Sequence, residues 1–333
     1  MATLKDISKI ADVNISTVSK ALRGSSDINP QTVARIQKIA DQLNYKREIY
    51  DLSDNGKKPP LIGIVCPEVV SMYYADILNS LQMTFLEAGY QSVAMISNFD
   101  RAQEVSCIKS LAAMNVCGIV FLTENDVDAD DLKELSFSGG INFVIVSNDN
   151  NNDFCDSICI DDGQSVAMAV AHLIELGHSK IAYIGDTLSA GRRQAYLQTM
   201  ESHSKPVNPG YVIENRLRFE ECGYHGMKNL LTLENPPTAI FTAYDNVAIG
   251  AMRAIYESGF SVPEDFSVLG IDNLKTSSYL YKTLTSITEP TADLGELAGD
   301  LMVNRLRKQT AVRHIKLIPT LNTRETTAAL EAK

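Results

Sequence analysis

The chain has 333 residues, of which 45% are hydrophobic and 21% are charged, a balance typical of folded globular proteins. This length exceeds what one hydrophobic core usually organises, so we expect two or three domains. Its apolar runs are strand-sized and its N-terminus has no apolar signal core, which predicts a cytoplasmic protein without a membrane span.

The formal net charge of −11 is unevenly distributed along the chain. Residues 1–60 hold 10 Lys and Arg against 7 Asp and Glu, whereas the remaining residues hold 20 against 34. Residues 1–60 are therefore mildly basic, whereas the rest of the chain is acidic. Because an acidic body repels phosphates, this distribution favours nucleic-acid binding through the N-terminal segment alone.

The pattern of residues 3–45 predicts three helices. Thr3 and Asp6 have the spacing of a capping box for the first helix. Asn14 can cap a second helix over residues 15–22, and Asn29 with Pro30 predicts the start of a third. The apolar residues expected to share one core are Leu4, Ile7, Ile10, Ala11, Val18, Ala21, Leu22, Val33, Ile36, Ile39, Ala40 and Leu43.

Two short helices at a tight turn followed by a longer helix are typical of a helix-turn-helix unit, whose second helix enters the DNA major groove. The outward residues of that helix can reach base edges or phosphates. A three-helix bundle without nucleic acid would show the same spacing, because Ser, Thr and Lys also form ordinary solvated surfaces. The outward residues are Ile15, Ser16, Thr17, Ser19 and Lys20.

This stretch resembles the N-terminus of the LacI/GalR family of bacterial transcription regulators. The resemblance rests on Leu4-x-Asp6-Ile7-x-x-x-Ala11, Val13, the run STVSKAL at residues 16–22, Ile28 and Leu43-Asn44-Tyr45. It implies a homodimer that binds a pseudo-palindromic operator in double-stranded DNA, and the absence of a heptad extension after Thr327 favours a dimer over a tetramer. The family usually has Arg where Lys20 stands. The expected DNA contacts are Thr3, Asn14, Ile15, Ser16, Thr17, Ser19, Lys20, Asn29 and Tyr45.

Residues 47–60 have the composition of a linker. In the resembling family this segment forms a hinge helix with the pattern Ala-Arg-x-Leu, whose Leu enters the minor groove. Here Asp51-Leu52-Ser53-Asp54 fall on those positions, and Asp54 would face strongly negative potential. Three alternatives stay open: a hinge that binds through basic residues, a register shift that uses Leu52, or a plain flexible tether. The basic residues are Lys46, Arg47, Lys57 and Lys58.

From residue 61 onward, apolar strands alternate with helices. Such alternation is typical of parallel sheets covered on both faces, and about 270 residues suffice for two lobes. We expect a polar loop at 148–156. The predicted strands are 61–66, 91–97, 117–122, 142–147, 180–184, 239–241, 268–271 and 315–318; the predicted helices are 74–87, 102–114, 130–135, 164–175, 246–257 and 292–307.

The family resemblance continues more thinly along this region and implies an α/β effector domain similar to periplasmic sugar-binding proteins. That domain has two Rossmann-like lobes with the ligand between them. Its crossovers would lie near Asp161, Thr288 and Thr320. The implied division is a helix-turn-helix domain at 1–46, a hinge at 47–60, and an effector and dimerisation domain at 61–333, with lobe 1 at about 61–160 and 290–320 and lobe 2 at about 161–288 and 321–333. The landmarks are Ile62-Gly63, the segment 172–181, Asp245-x-x-Ala248-x-Gly250-Ala251, Gly270-x-Asp272-Asn273, Leu284-Thr285-Ser286-Ile287 and Arg324-Glu325-Thr326-Thr327.

Ligands of open α/β sheets bind at the carboxyl ends of strands. Asp272 directly follows a predicted strand and can accept two sugar hydroxyls, although a loop or helix cap would use the same residue. Arg193 matches the family's ligand-clamping Arg, and its guanidinium offers a fork of donors. Arg192 is expected to be the solvated neighbour, with the reverse register as the alternative.

Tyr73 and Tyr74 match an aromatic pair of the family, and aromatic faces stack on sugar rings; packing at the helix start is the alternative. Ser147, Tyr244 and the pair Arg218-Phe219 depart from the family's usual residues, which leaves the identity of the ligand open. The expected effector contacts are Ser71, Tyr73, Tyr74, Ser147, Arg193, Phe219, Tyr244, Asp272 and Glu289. Asp245 is expected to be a helix cap, and His172 and His178 to be scaffold residues.

Enzyme signatures are missing from the sequence: there is no Gly-rich phosphate loop, no G-x-S-x-G and no H-E-x-x-H. The six cysteines lie mostly in apolar stretches and are expected to be free thiols, without a metal site or a cofactor. We therefore expect a repressor of carbohydrate-metabolism genes, controlled by a small sugar-like effector. The alternatives are control by a phosphorylated carrier protein, a sugar sensor without strong DNA binding, and a solute-binding protein that serves a transporter.

Overall fold

The structure, a computed structural model, describes residues 4–11, 13–22, 28–43, 60–125, 132–133, 140–147, 153–308 and 311–330. The chain separates into two compact units, residues 1–59 and 60–333. Of the helices in these ranges, none combines the length and apolar character that a bilayer span needs.

The first unit contains three helices, α1 (Leu4–Ala11), α2 (Ile15–Leu22) and α3 (Pro30–Gln42). Asn29 caps α3 as predicted, since its Oδ1 accepts a hydrogen bond of 2.9 Å from the Gln31 amide. Arg35 in α3 donates a hydrogen bond of 2.7 Å to the Ala11 carbonyl at the end of α1. The buried residues of this unit are Ile7, Ala11, Val18, Ala21, Ile36, Ile39 and Ala40.

The prediction that Ile10 belongs to the core of this unit is wrong. Ile10 is 58% exposed, whereas Ile7 and Ala11 are buried. The face of α1 that packs on the other two helices carries Ile7 and Ala11, which lie four residues apart, and Ile10 lies outside that face.

The second unit contains two six-stranded sheets. The first sheet has the order β11-β5-β4-β3-β1-β2 and is parallel throughout. The second has the order β12-β10-β9-β8-β6-β7 and is parallel except for the β10–β12 pair. The strands are β1 (Leu61–Cys66), β2 (Gln91–Ile96), β3 (Gly118–Leu122), β4 (Asn142–Val146), β5 (Asp156–Ile160), β6 (Ile181–Asp186), β7 (Val212–Asn215), β8 (Ala239–Thr242), β9 (Ser267–Asp272), β10 (Thr285–Thr288), β11 (His314–Leu317) and β12 (Thr320–Asn322).

Each sheet, together with the helices that cover it, forms one lobe of this unit. The chain passes between the lobes three times: after β5, after β10 and between β11 and β12. These passages lie where the family resemblance implies crossovers. The helices of lobe 1 are α4 (Met72–Glu87), α5 (Arg101–Ala113) and α10 (Thr291–Arg307); those of lobe 2 are α6 (Asp162–Glu175), α7 (Ala190–Ser202), α8 (Phe219–Leu230) and α9 (Asp245–Glu257).

Several elements of this unit were not predicted with bounds, namely β5, β7, β10, β12, α7 and α8. Strand β5 has the sequence DSICI, and a charged residue such as Asp156 is not expected in a buried strand. Asp156 is nevertheless buried, because it forms an ion pair of 2.8 Å with Arg305. The polar loop expected at 148–156 lies partly outside the described residues. The helix expected at 130–135 is described only at residues 132–133, which are helical.

No disulfide bond joins the six cysteines, all of which lie in the described residues. Five of them are buried and Cys117 is half-buried. Burial raises the pKa of Cys66 and of Cys155 to about 12, so these thiols stay protonated at neutral pH.

Candidate functional site

A cavity of about 230 Å³ lies between the two lobes. Both sheets direct the carboxyl ends of their strands towards it, which is the position expected for a ligand site in open α/β sheets. Lobe 1 contributes Glu68, Ser71, Tyr73, Tyr74, Phe99 and Glu124, and lobe 2 contributes Asp162, Asp186, Leu188, Ser189, Gly191, Arg192, Arg218, Phe219, Tyr244, Asn246 and Asp272.

Arg192 is the centre of a buried charge cluster on the lobe 2 side of the cavity. Its Nε and Nη2 lie 3.0 and 2.9 Å from Asp162 Oδ1, and its Nη2 lies 3.1 and 3.2 Å from the two Glu289 oxygens. Its Nη1 donates a hydrogen bond of 2.7 Å to the Ala243 carbonyl and lies 3.6 Å from Asp272 Oδ1. One guanidinium therefore balances three carboxylates.

Arg193, the expected ligand clamp, does not line the cavity, whereas its neighbour Arg192 does. The Arg193 guanidinium pairs with Glu214 at 2.8 Å, and its side chain is 37% exposed. The rotation of α7 about its own axis determines which of the two arginines faces the cavity. Arg192 lies one turn before the fully buried Tyr196, whereas Arg193 lies one turn before the exposed Leu197.

Asp272 ends β9 and lies in the wall of the cavity, with a φ of 103°. Its side chain is 8% exposed, and the nearest cation is Arg192 at 3.6 Å. In the part of the chain that the structure describes, no N–H or O–H group donates a hydrogen bond to this carboxylate. Burial raises the pKa of Asp272 well above its usual range; Arg192 opposes this shift, and Glu289 adds to it.

Glu289 lies behind Arg192 rather than in the cavity wall. It is buried, and it accepts a hydrogen bond of 3.2 Å from Ser165 in addition to those from Arg192. Burial raises the pKa of Glu289 to about 7, against the lowering effect of Arg192. Glu289 was expected to contact the effector; in the structure it does not line the cavity, and it contacts the Arg192 guanidinium instead.

Aromatic rings from both lobes face the cavity. Tyr74 from lobe 1 donates a hydrogen bond of 2.6 Å to Glu124, and its ring meets that of Tyr73 edge-on with centroids 5.0 Å apart. In lobe 2 the Tyr244 hydroxyl donates to Asp186 at 2.6 Å and accepts from the Phe219 amide at 3.1 Å. Tyr244 is thus fixed by two hydrogen bonds at the start of α9.

A bidentate ion pair crosses from one lobe to the other. Arg218 donates from Nη1 and Nη2 to the two oxygens of Glu68, at 2.6 and 3.2 Å. The same guanidinium lies 5.2 Å from the Phe99 ring centroid and 4.5 Å from that of Phe219, within cation–π range. Since Glu68 and Phe99 belong to lobe 1, these contacts hold the cleft closed.

We expect Glu68→Gln to weaken this closure. It removes the charge and retains the shape, so a double-mutant cycle with Arg218→Gln should give a coupling energy of about 1–3 kcal/mol in urea unfolding. The radius of gyration by small-angle scattering should rise in Glu68→Gln. Glu214→Gln is the matched control because its ion pair with Arg193 lies within lobe 2. Additive effects of Glu68 and Arg218 would contradict the closure role.

The remaining predicted contacts divide between the cavity and its surroundings. Ser71 lines the cavity and caps α4, since its Oγ accepts a hydrogen bond of 3.4 Å from the Tyr74 amide. Ser147 lies in a smaller adjoining pocket beside Tyr73 and Tyr74. Phe219, Tyr244 and Asp272 line the main cavity.

Asp245 is structural, but its predicted role as a helix cap is wrong. Helix α9 begins at Asp245 itself, and Tyr244 occupies the cap position. The buried Asp245 carboxylate accepts hydrogen bonds from the Leu274 amide at 2.9 Å and from the Ser277 and Ser286 hydroxyls at 2.5 and 2.6 Å. It therefore ties down the loop that follows Asp272.

Of the expected DNA contacts, Thr3 and Tyr45 lie outside the described residues, as do the side chains of Ile15, Ser16, Ser19 and Lys20. Asn14 and Asn29 are exposed and Thr17 is half-buried. Sequence reasoning missed several cavity residues. Glu68, Glu124 and Asp186 end or closely follow strands, so the rule that identified Asp272 could also have found them.

Comparisons with known proteins agree with this architecture. Residues 3–48 match the family model of bacterial regulatory proteins of the lacI family, and residues 170–327 match that of a periplasmic binding protein-like domain. The HTH-type transcriptional repressor PurR of Haemophilus influenzae is 30% identical, over 92% of this chain and 91% of that protein. Catabolite control protein A of Priestia megaterium is 26% identical, over 95% and 96% of the two chains.

Solved structures show the same fold. The lac repressor dimer bound to operator and the anti-inducer ONPF aligns with a TM-score of 0.72 at 24% identity, over 98% of this chain and 99% of that chain. The complex of the transcriptional regulator CelR with cellobiose aligns with a TM-score of 0.69 at 23% identity, over 98% and 100%.

Proposed function

The chain belongs to the LacI family of bacterial regulatory proteins, and we propose that it represses genes of carbohydrate metabolism by binding a pseudo-palindromic operator as a homodimer, under the control of a sugar-like effector. It is a DNA-binding transcriptional regulator and not an enzyme. The observation that carries the proposed control is the cavity between the lobes. Its wall combines a buried carboxylate at a strand end, a buried guanidinium and aromatic rings.

An effector in this cavity would contact both lobes at once. Tyr73 and Tyr74 come from lobe 1, whereas Arg192 and Asp272 come from lobe 2. A ligand that bridges the lobes stabilises one degree of closure over another, and a difference in affinity between the two states shifts their populations. We propose that this shift alters operator affinity.

Similarity to a solved dimer supports the proposed homodimer. The lac repressor, which is bound to its operator as a dimer, aligns over 98% of this chain. Two DNA-binding units related by two-fold symmetry then read two halves of one operator.

The experiment that tests the proposed function is selection of duplex DNA from a random pool with the full-length protein at physiological salt. We expect recovery of a palindromic sequence, and we expect binding to that operator to respond to a sugar-like effector. Recovery of nothing above background, both without ligand and with a panel of sugars, would reject the proposed function.

Lys20 in α2 is expected to contact a phosphate of the recovered operator. Lys20→Ala should then weaken binding and reduce the slope of log affinity against log salt by about 0.9. Lys38→Ala is the matched control because Lys38 is exposed on the bracing helix α3 and its replacement removes the same charge. An unchanged salt slope in Lys20→Ala would exclude the phosphate contact.

A further inference from the structure

The charges around the cavity are strongly unbalanced. Of the described residues that line it, five are acidic and two are basic, and the acidic Glu289 lies directly behind Arg192. Six carboxyl groups therefore surround two guanidiniums. An environment with this excess of negative charge favours a positively charged ligand over a negatively charged one. The acidic residues of the wall are Glu68, Glu124, Asp162, Asp186 and Asp272.

Both guanidiniums are already engaged by carboxylates. Arg192 makes short contacts to Asp162 and Glu289, and Arg218 makes a bidentate pair with Glu68. A ligand carboxylate or phosphate would have to displace one of these buried acidic partners, which would leave that partner unpaired. The cleft is therefore poorly suited to an acidic sugar or a sugar phosphate.

Asp272 is the acidic group of the wall on which the inference depends. Its side chain is 8% exposed, and it lies in the cavity wall. No described residue donates a hydrogen bond to it, and Arg192 remains 3.6 Å away. Buried acceptors are almost always hydrogen-bonded, and a donor can reach this carboxylate from the cavity, where a ligand would lie. Burial raises the pKa of Asp272, and a cation bound beside it would lower that pKa.

The aromatic walls suit the same ligand. Phe99 and Phe219 already hold a guanidinium, that of Arg218, at 5.2 and 4.5 Å. Rings in this cavity therefore accept cations as well as the C–H faces of sugars. The volume of about 230 Å³ is below the roughly 300–1,000 Å³ of pockets for drug-sized ligands, which indicates a ligand of monosaccharide size.

We infer that the effector is an amino sugar of monosaccharide size whose ammonium group is bound by Asp272. This inference rests on the proposed function, because it names the class of effector for the same cleft. The ammonium supplies a donor to Asp272 and reduces the excess negative charge. The ring hydroxyls then face the carboxylates and hydroxyl groups of the opposite wall.

The test is isothermal titration of the full-length protein with matched monosaccharides that differ in one group. The set consists of glucosamine, galactosamine and mannosamine, each with its parent hexose, its N-acetylated form and the corresponding uronate. In at least one series we expect the amino sugar to bind at least tenfold tighter than the parent hexose, and we expect no binding of the uronates. Equal or tighter binding of a parent hexose or a uronate, or no binding by any amino sugar, would overturn the inference.

Asp272→Asn provides the second measurement, since it removes the charge and keeps the size of the side chain. The amino sugar should bind this variant at least tenfold more weakly, and its advantage over the parent hexose should disappear. Glu214→Gln, which removes a carboxylate outside the cavity of the same lobe, should bind as the wild-type protein does. An unchanged affinity of Asp272→Asn for the amino sugar would also overturn the inference.

Operator binding, measured on the same samples, separates this inference from the proposed function. A protein that binds its selected operator and responds to a parent hexose or a uronate would retain the proposed function and lose the amino-sugar inference. A protein that binds an amino sugar but selects no operator would do the reverse. Operator binding by Asp272→Asn would also show that the variant is folded.

Discussion

Replacement of Arg192 by methionine is expected to lower the free energy of unfolding by about 3–5 kcal/mol and to abolish the response to effector. Methionine keeps much of the length and loses the charge, so Asp162, Asp272 and Glu289 would be left around a side chain that cannot compensate them. The measurement is urea unfolding at pH 7.5, together with operator release by a ligand that releases the wild-type protein.

Arg193→Met is the matched control, because it makes the same change at the next residue of α7. Arg193 and Glu214 are 37% and 33% exposed, and an ion pair of this exposure contributes less than about 1 kcal/mol. We therefore expect Arg193→Met to unfold nearly as the wild type does and to retain the effector response. Equal losses in the two variants would show that Arg192 does not hold the cluster.

The effect of Arg192→Met should also depend on pH. In the wild type, burial raises the pKa of Glu289 to about 7 and that of Asp272 well above its usual range, while Arg192 lowers both. Carboxyl groups with raised folded-state pKa values bind more protons when folded, so they reduce stability as pH rises above their unfolded-state values. Loss of Arg192 raises both pKa values further. The variant should therefore be far less stable than the wild type at pH 8, and this difference should shrink at pH 5.

The sequence alone does not determine whether Arg192 or Arg193 faces the cavity. Both residues have the same chemistry, and helix α7, with the sequence AGRRQAYLQTMES, buries only Tyr196, Thr199 and Met200. A stripe this sparse does not fix the helical phase from the sequence. The packing of Tyr196 against Tyr183 and Phe241 fixes it in the structure, with ring centroids 5.6 and 6.3 Å away.

Asp272 could be predicted because its signal is local: it directly follows an apolar strand. The partner of Arg218 could not be predicted, since Glu68 lies 150 residues away in the chain and in the other lobe. The long apolar strands and the three N-terminal helices were predicted for the same local reason. Strand β5 and the contacts between the lobes depend on pairs such as Asp156 with Arg305, which only the fold brings together.

The landmark that includes Gly250 has a physical basis in the packing of α9 on α8. A Cβ on Gly250 would lie 1.9 Å from the Glu220 carbonyl oxygen, and one on Gly223 in α8 would lie 1.8 Å from the Val247 carbonyl oxygen. The two helices thus approach each other backbone to backbone at a reciprocal pair of glycines. The atoms that each added Cβ would meet are main-chain atoms, which cannot move aside as a flexible side chain can.

Gly250→Ala is therefore expected to lower the free energy of unfolding by at least about 3 kcal/mol, near the upper end for one added methyl group in a packed core. Gly191→Ala is the matched control, because a Cβ there meets no atom within 4 Å and Ala is the better helix former. It should leave stability unchanged or raise it by up to about 1 kcal/mol. Urea unfolding of both variants makes the measurement. Equal stability of Gly250→Ala and Gly191→Ala would contradict this prediction. It would show that α8 and α9 can move apart without a loss of stability, so that their close approach does not require a glycine at position 250.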